Sequence, residues 1–378
     1  MTLREIIEQV VEAFEDVEPG CNGPWCNPAT PVRNSAHWLI TFAWAYEQTG
    51  EAHYRHRVGQ LADYLISAKA RPAGYAFECF TAHPSSRANG LIGQAWVMEA
   101  LIRATEATGN PHYLEIAREV WLQHSFDEDS RLWCGLEPDG AVQPVHRTLN
   151  QQVWFAAMGA HLATPTHPHI QRRVEQFMQT VEQHMMLYPS GLLGMHIATA
   201  SSRHSRWKAV GLRLRAWVRR WLRPSRSYPY FDELTCSVGY HAFTLYGFGL
   251  LKQSMPEHPL WRSPKLHKAL QWSCSAAYKR ALRRNPFATG YNPAGFEVPY
   301  VQAVFEVLPP SQLMEEARWW LHEQVRRHFN PATGRFDRNT PDAATLTSRI
   351  YEATRLPPAM LDMPVDISAD AMGYNKGR

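Results

Sequence analysis

Between Asn89 and Thr108 the apolar residues recur at helical spacing. Leu91, Ala95, Met98, Leu101 and Ile102 share one face, and Ile92 and Val97 widen it. A helix that is apolar nearly all round is buried rather than laid on a surface. Gly109 stands where a left-handed C-cap residue is needed, and Pro111 opens the next helix at a position that wants no N–H. The stretch 112–124 is two-faced, with Glu115, Arg118 and Glu119 available to water. The pattern predicts a buried helix, a tight stop and a half-exposed helix.

This unit repeats. Glu47-Gln-Thr-Gly-Glu-Ala-His-Tyr54 returns as Glu106-Ala-Thr-Gly-Asn-Pro-His-Tyr113, 59 residues on. Buried helices are expected to start near 33, 89, 149, 237, 294 and 342, at steps of 56, 60, 88, 57 and 48. Outer helices are expected at 55–69, 111–124, 168–187, 265–283 and 311–330, and residues 2–16 supply a sixth, with Thr2 and Glu5 as a capping box. The segment 126–147 reads as a loop with a short hairpin, and 342–354 as one last helix with Asp342 as N-cap. The long step marks an insertion at 190–232. Stacked two-helix units of this period close into a ring or form an open solenoid, and nearly all-apolar inner helices favour closure. The fold expected is all-α: a single (α/α)6 toroid over 1–378, six helical hairpins with one insertion.

The stretch Asn89-Gly-Leu-Ile-Gly-Gln-Ala-Trp96 with Ala104-Thr-Glu-Ala-Thr-Gly109 resembles the second hairpin of the six-hairpin glycosidase superfamily. It is similar there to AglQ-like proteins of glycan gene clusters, to glucuronyl C5-epimerases and, more loosely, to unsaturated glucuronyl hydrolases. The resemblance covers nearly the whole chain. It implies a carbohydrate-active enzyme, with a uronic-acid-containing glycan as substrate, and it carries over no catalytic set residue by residue.

Polar and aromatic residues gather where the inner helices begin, the rim of a central cavity. Arg33, Asn34, His37, Arg87, Asn89, Gln94, Trp96, Arg147, Asn150, Gln151 and Tyr300 are the expected sugar-binding residues. The competing structural roles are caps for the Asn and Arg residues, core packing for Trp38, Trp96 and Trp154, and a satisfied core position for His241. Glycoside hydrolysis, the leading reaction, needs two carboxyls. Glu297, in an apolar setting, is the expected acid, while Asp232, Glu233, Asp139 and Glu78 compete for the second role. Epimerisation or elimination at a uronate C5 would instead use Tyr240, His241, Tyr300 or His37 for proton transfer and an arginine for the carboxylate. A non-catalytic glycan-binding toroid and a zinc-dependent toroidal cyclase using Cys134 and Cys236 are the alternatives from other classes.

No cofactor and no metal site is expected. The six cysteines are scattered, and Cys21 with Cys26 lacks a second pair to complete four ligands. Charge changes the picture more. Residues 203–226 hold nine of the 39 Lys and Arg and no acid, leaving 30 basic against 35 acidic residues elsewhere, a net charge of −5. Within 205–223 a helix would put Trp207, Val210, Leu214, Trp217, Val218 and Trp221 on one face, with Arg213, Arg215, Arg219, Arg220 and Arg223 over much of the rest. Tryptophan with arginine on a short amphipathic helix suits a membrane interface. With no apolar leader at 1–16 and no run of 18 apolar residues, the expected place is the cytoplasm, peripheral on the inner face of an anionic membrane. A homodimer contact is the alternative use of this helix. Nucleic acid is not expected as a partner, because the rest of the molecule is acidic.

Overall fold

The computed structural model describes residues 1–22, 25, 29–81, 86–197 and 232–367. The expected helix 205–223, with Trp207, Arg213, Arg215, Trp217, Arg219, Arg220 and Trp221, lies outside the described residues.

Six helical units surround one axis. Their inner members are α2 (Pro31–Thr49), α4 (Gly90–Thr108), α6 (Leu149–Leu162), α8 (Glu233–Ser254), α11 (Ala294–Phe305) and α13 (Ala343–Ser348), the last running into a 3₁₀ helix at Arg349–Arg355. Each inner member packs on the next, and the 3₁₀ helix touches both α11 and α2, so the ring is closed. The outer wall is α3 (Ala52–Ile66), α5 (Pro111–Gln123), α7 (Pro168–His184), α9 (Pro264–Ser273) with α10 (Ala276–Leu282), and α12 (Pro310–His328). Completing it are α1 (Leu3–Ala13) and the short α14 (Pro358–Leu361). The expected toroid is therefore the observed one.

Local chemistry sets the boundaries. Thr2 and Glu5 form the capping box: Glu5 N–H donates to Thr2 Oγ1 at 3.2 Å and Thr2 N–H to Glu5 Oε2 at 2.7 Å. Leu3, Ile6, Ile7, Val10 and Val11 of α1 are buried. Residues 1–3 meet residues 363–365 where Leu3 N–H donates to the Met363 carbonyl and Val365 N–H to the Met1 carbonyl. Gly109 takes φ +77° as the C-cap of α4, a conformation open to glycine.

Four boundaries differ from the sequence reading. The outer helix read as 265–283 breaks after Ser273, because Ser273 and Ser275 donate to the Leu270 and Trp272 carbonyls at 2.6 and 2.7 Å. Ser275 then caps α10. The last helix changes to 3₁₀ at Arg349, where Ser348 Oγ donates back to the Thr345 carbonyl at 2.9 Å. Segment 126–147 forms an antiparallel sheet of β1 (Phe126–Asp127), β2 (Leu132–Leu136) and β3 (Val142–Val145), in that order. Residues 190–197, assigned to the insertion from sequence, pack into the wall: Leu149 N–H donates to the Met195 carbonyl and Ile197 N–H to that of Arg147.

Candidate active site

A two-residue pattern in each inner member builds the centre. One position ties down the chain outside the ring, and the position two residues later reaches the axis. Ser35 Oγ accepts from Gly20 N–H at 3.1 Å. Gln94 accepts from Phe77 N–H at 2.8 Å and donates to the carbonyls of Phe77 and Ala88. Gln152 does the same for Trp133 and His146. His241 Nδ1 accepts from Leu193 N–H at 3.2 Å, and its Nε2 lies 3.1 Å from the Ala269 carbonyl. Thr347 Oγ1 accepts from Phe336 N–H at 3.1 Å. In α11 the tie comes from outside: Gly295 N–H donates to Gln324 of α12, and a Cβ on Gly295 would lie 2.4 Å from that of Gln324.

Two residues after these ties come His37, Trp96, Trp154, Phe243, Glu297 and Arg349, one from each inner member. They form a single layer. His37 meets Trp96 edge-on with centroids 4.9 Å apart, Trp96 lies 6.4 Å from Trp154 and 6.0 Å from Phe243, and Arg349 Cζ sits 5.1 Å above the Phe243 ring. Half of the layer is aromatic and half is ionisable.

The ionisable half centres on Arg349, which is 3% exposed. Its Nε donates to Glu352 Oε1 at 2.7 Å, Nη1 to Asn292 Oδ1 at 2.6 Å and the Tyr291 carbonyl at 3.2 Å, and Nη2 to Glu297 Oε1 at 2.9 Å, with Glu352 Oε1 also 2.7 Å from Nη2 as an ion pair. A guanidinium has five N–H donors, and four of them are given to these partners. Burial, then the neighbouring Glu352, pushes the Glu297 carboxyl well above its ordinary range. Burial raises Glu352 as well, against the pull of Arg349. Two carboxyls facing one cation in a dry site keep one proton between them. Burial would lower the Arg349 pKa, but Glu352 and Glu297 hold it above its usual value.

His37 lies beside this cluster. Its Nδ1 is 3.2 Å from Ser348 Oγ, and its ring stacks on Tyr351 at 4.7 Å. Nε2 is buried with no protein hydrogen-bond partner. Burial and the cations Arg33, Arg349 and Arg355 hold the imidazole neutral, well below its usual pKa. Above it at the rim, Arg33 donates to Thr345 Oγ1 at 2.5 Å and to Asn34, with Asp342 at 3.8 Å. Burial lowers its pKa. Tyr240 of α8 is half-buried beside Tyr291, and burial with that neighbour pushes its hydroxyl well above the usual range. Because α2 and α8 are three places apart in a ring of six, His37 and Tyr240 come from opposite walls.

The structure thus brings together Arg33, Asn34, His37, Trp96, Tyr240 and Glu297 of the residues expected from sequence. Asn150 is also buried, in the first turn of α6. Others have different work. Gln94 and His241 are tied to backbone and offer nothing to a substrate. Tyr300 donates to Gln253 at 3.0 Å and packs on Tyr246. Gln151 accepts from Leu91 and Ile92 N–H, capping α4. Arg87 is paired with Glu78 at 2.6 Å. Asn89 takes φ +56° ahead of α4, without a side-chain cap bond, and Arg147 is exposed. Asp232 is an exposed N-cap whose bonds from Thr235 N–H and hydroxyl lower its pKa, the opposite of what an acid needs. Exposed Glu233 and Asp139 stand apart from the cluster too. The second carboxyl is Glu352, which sequence reasoning missed along with Arg349. The signal was there: Arg and Glu at i,i+3 inside an apolar helix. Among the described residues no group of three His, Cys, Asp or Glu is placed to hold a metal.

No family model matches the sequence. The archaeal glycosylation protein Q of Haloferax volcanii is 36% identical over 342 residues, covering 89% of this chain and 91% of that protein. The chain belongs to the archaeal glycosylation protein Q family. Its fold is shared with a D-mannose isomerase at TM-score 0.64 and 15% identity, covering 93% of this chain and 96% of that one. A cellobiose 2-epimerase from Spirochaeta thermophila follows at TM-score 0.59 and 14% identity, with the same coverage. This chain thus shares its (α/α)6 toroid with both of these proteins.

Proposed function

We propose that this protein is a sugar isomerase or epimerase that moves a proton at a carbon next to a carbonyl or carboxylate, on a uronic acid of a glycan. The observation that carries this reading is the guanidinium between the two carboxyls. Glycoside hydrolysis needs a sugar between its carboxyls, about 5–5.5 Å apart for retention and about 6.5–9.5 Å for inversion. Glu297 and Glu352 instead both pair with the same nitrogen of Arg349, Nη2, at 2.9 and 2.7 Å. Arginine fills the space the scissile bond would need.

Proton transfer asks for less: one base on the axis, one donor across from it and a cation for the carboxylate. His37 Nε2 is the base. It removes the C–H proton, and the electron pair passes into an enediolate shared with the adjacent carbonyl or carboxylate. Return of a proton to the same carbon from the opposite wall, where Tyr240 stands, inverts the centre; return to the neighbouring carbon moves the carbonyl. Arg33, with hydroxyl and amide partners and Asp342 only at 3.8 Å, retains charge for an acidic sugar. Trp96 and Phe243 offer flat faces to the sugar ring. The fold likeness to an isomerase and an epimerase agrees with this chemistry, and the relative's name agrees with a glycan component as substrate.

The test is incubation in deuterated water with hexoses, hexuronates and uronate oligosaccharides, read by proton NMR and mass spectrometry. Deuterium at C5 of a uronate, or at C2, without cleavage is the expected result. His37→Gln should slow exchange by about 10²–10⁴-fold, the usual worth of a general base. Cleavage with gain of water would restore hydrolysis, and no exchange in any sugar would overturn the reading.

A further inference from the structure

The change from α to 3₁₀ geometry at Ser348 decides which nitrogen of His37 carries a proton. Tighter winding brings the carbonyl three residues back within reach of a serine hydroxyl. Ser348 Oγ donates to the Thr345 carbonyl at 2.9 Å. A hydroxyl has one proton to give. With that proton spent on Thr345, Ser348 Oγ can only accept from His37 Nδ1, 3.2 Å away. The proton of the neutral imidazole therefore sits on Nδ1, and Nε2 keeps its lone pair. Nε2 is also the ring nitrogen that is buried with no protein hydrogen-bond partner. Tyr351, stacked at an interplanar angle of 21°, and Trp96, at 85°, stop the ring from turning over.

We infer that Ser348 is a positioning residue that fixes His37 in the tautomer whose Nε2 accepts a proton. Its catalytic meaning rests on the proton-transfer reading above; the tautomer itself does not. Thr345 joins the device from the other side, because its hydroxyl receives Arg33 Nη2 at 2.5 Å and Asn34 Nδ2 at 3.4 Å while its carbonyl receives Ser348. One helical turn thus holds the base and the cation in a common frame.

The experiment is long-range ¹H–¹⁵N correlation NMR on protein labelled in histidine, with the His37 signals identified by their loss in His37→Gln. Wild type should show a neutral ring protonated at Nδ1. Ser348→Ala should give a mixture of tautomers and lower kcat by about 10–100-fold, by analogy with the loss of a partner that orients a metal-bound histidine, with KM within about twofold. Ser348→Thr, which keeps a hydroxyl, should restore both the spectrum and kcat. A wild-type ring protonated at Nε2, or a Ser348→Ala spectrum identical to wild type, would overturn the assignment. A ring protonated at Nδ1 in a protein that exchanges no sugar would support it while removing the functional reading.

Discussion

His124, His241 and His328 are buried and neutral, and burial pushes their pKa values down to about 4, 3 and 4. Unfolding frees them to take up protons below their ordinary pKa of about 6.5. The unfolded state then binds more protons than the native one, so these groups make stability rise with pH between about 4 and 6.5. Glu297 and Glu352 work the other way. Their raised pKa values keep a proton in the native state that the unfolded chain loses above about 4.5, so their contribution is present at acid pH and is lost as pH climbs. Thermal melts from pH 4.5 to 6.5 should show a rise set by the histidines and blunted by the carboxyl pair. Glu297→Gln holds a neutral amide where the shared proton was, and the rise should become steeper in that variant. A shallower rise would mean that both carboxyls are ionised beside Arg349.

At the scale of the element, the ties between inner helices and outside chain carry a prediction of their own. Gln94 holds Phe77 N–H and the carbonyls of Phe77 and Ala88, all in the interior. Gln94→Leu should cost about 1–3 kcal/mol for each backbone group left without a partner. Denaturant unfolding measures that loss, and amide exchange at Phe77 should quicken while the far wall stays protected. Unchanged stability would show that water replaces the glutamine. The same ties explain how much was legible in the sequence. Hairpin period, caps at Thr2, Gly109 and Asp342, and the concentration of polar residues at helix starts follow from local spacing, and each stands in the structure. The division of those polar residues does not follow from spacing. Gln94 and Trp96, two positions apart on one buried helix, face opposite ways, and only the assembled ring decides which meets the axis. Arg349 was passed over for the complementary reason: its partners Glu297 and Asn292 lie more than 50 residues away.

For the molecule as a whole, closure puts the ionisable layer inside and leaves an acidic body with one basic segment. Among the described residues no helix is long and apolar enough to cross a membrane. We propose that residues 205–223 instead hold the protein against an anionic bilayer. Basic residues near such a surface contribute about 1 kcal/mol each, and Trp207, Trp217 and Trp221 add interfacial anchors. Purified protein should sediment with vesicles of phosphatidylglycerol and not with phosphatidylcholine alone. The electrostatic part should fade in about 1 M salt, where screening shortens to about 3 Å. Deleting 205–223 should release the protein from vesicles while leaving exchange on a soluble sugar in place, since the toroid closes without that segment. Loss of exchange in the deletion would make the segment part of the active site. Failure to sediment, together with a deletion-sensitive rise in molar mass with concentration, would make it a contact between copies of the chain. Sedimentation that depends on both charge and tryptophan would support residues 205–223 as the segment that docks the protein on an anionic bilayer.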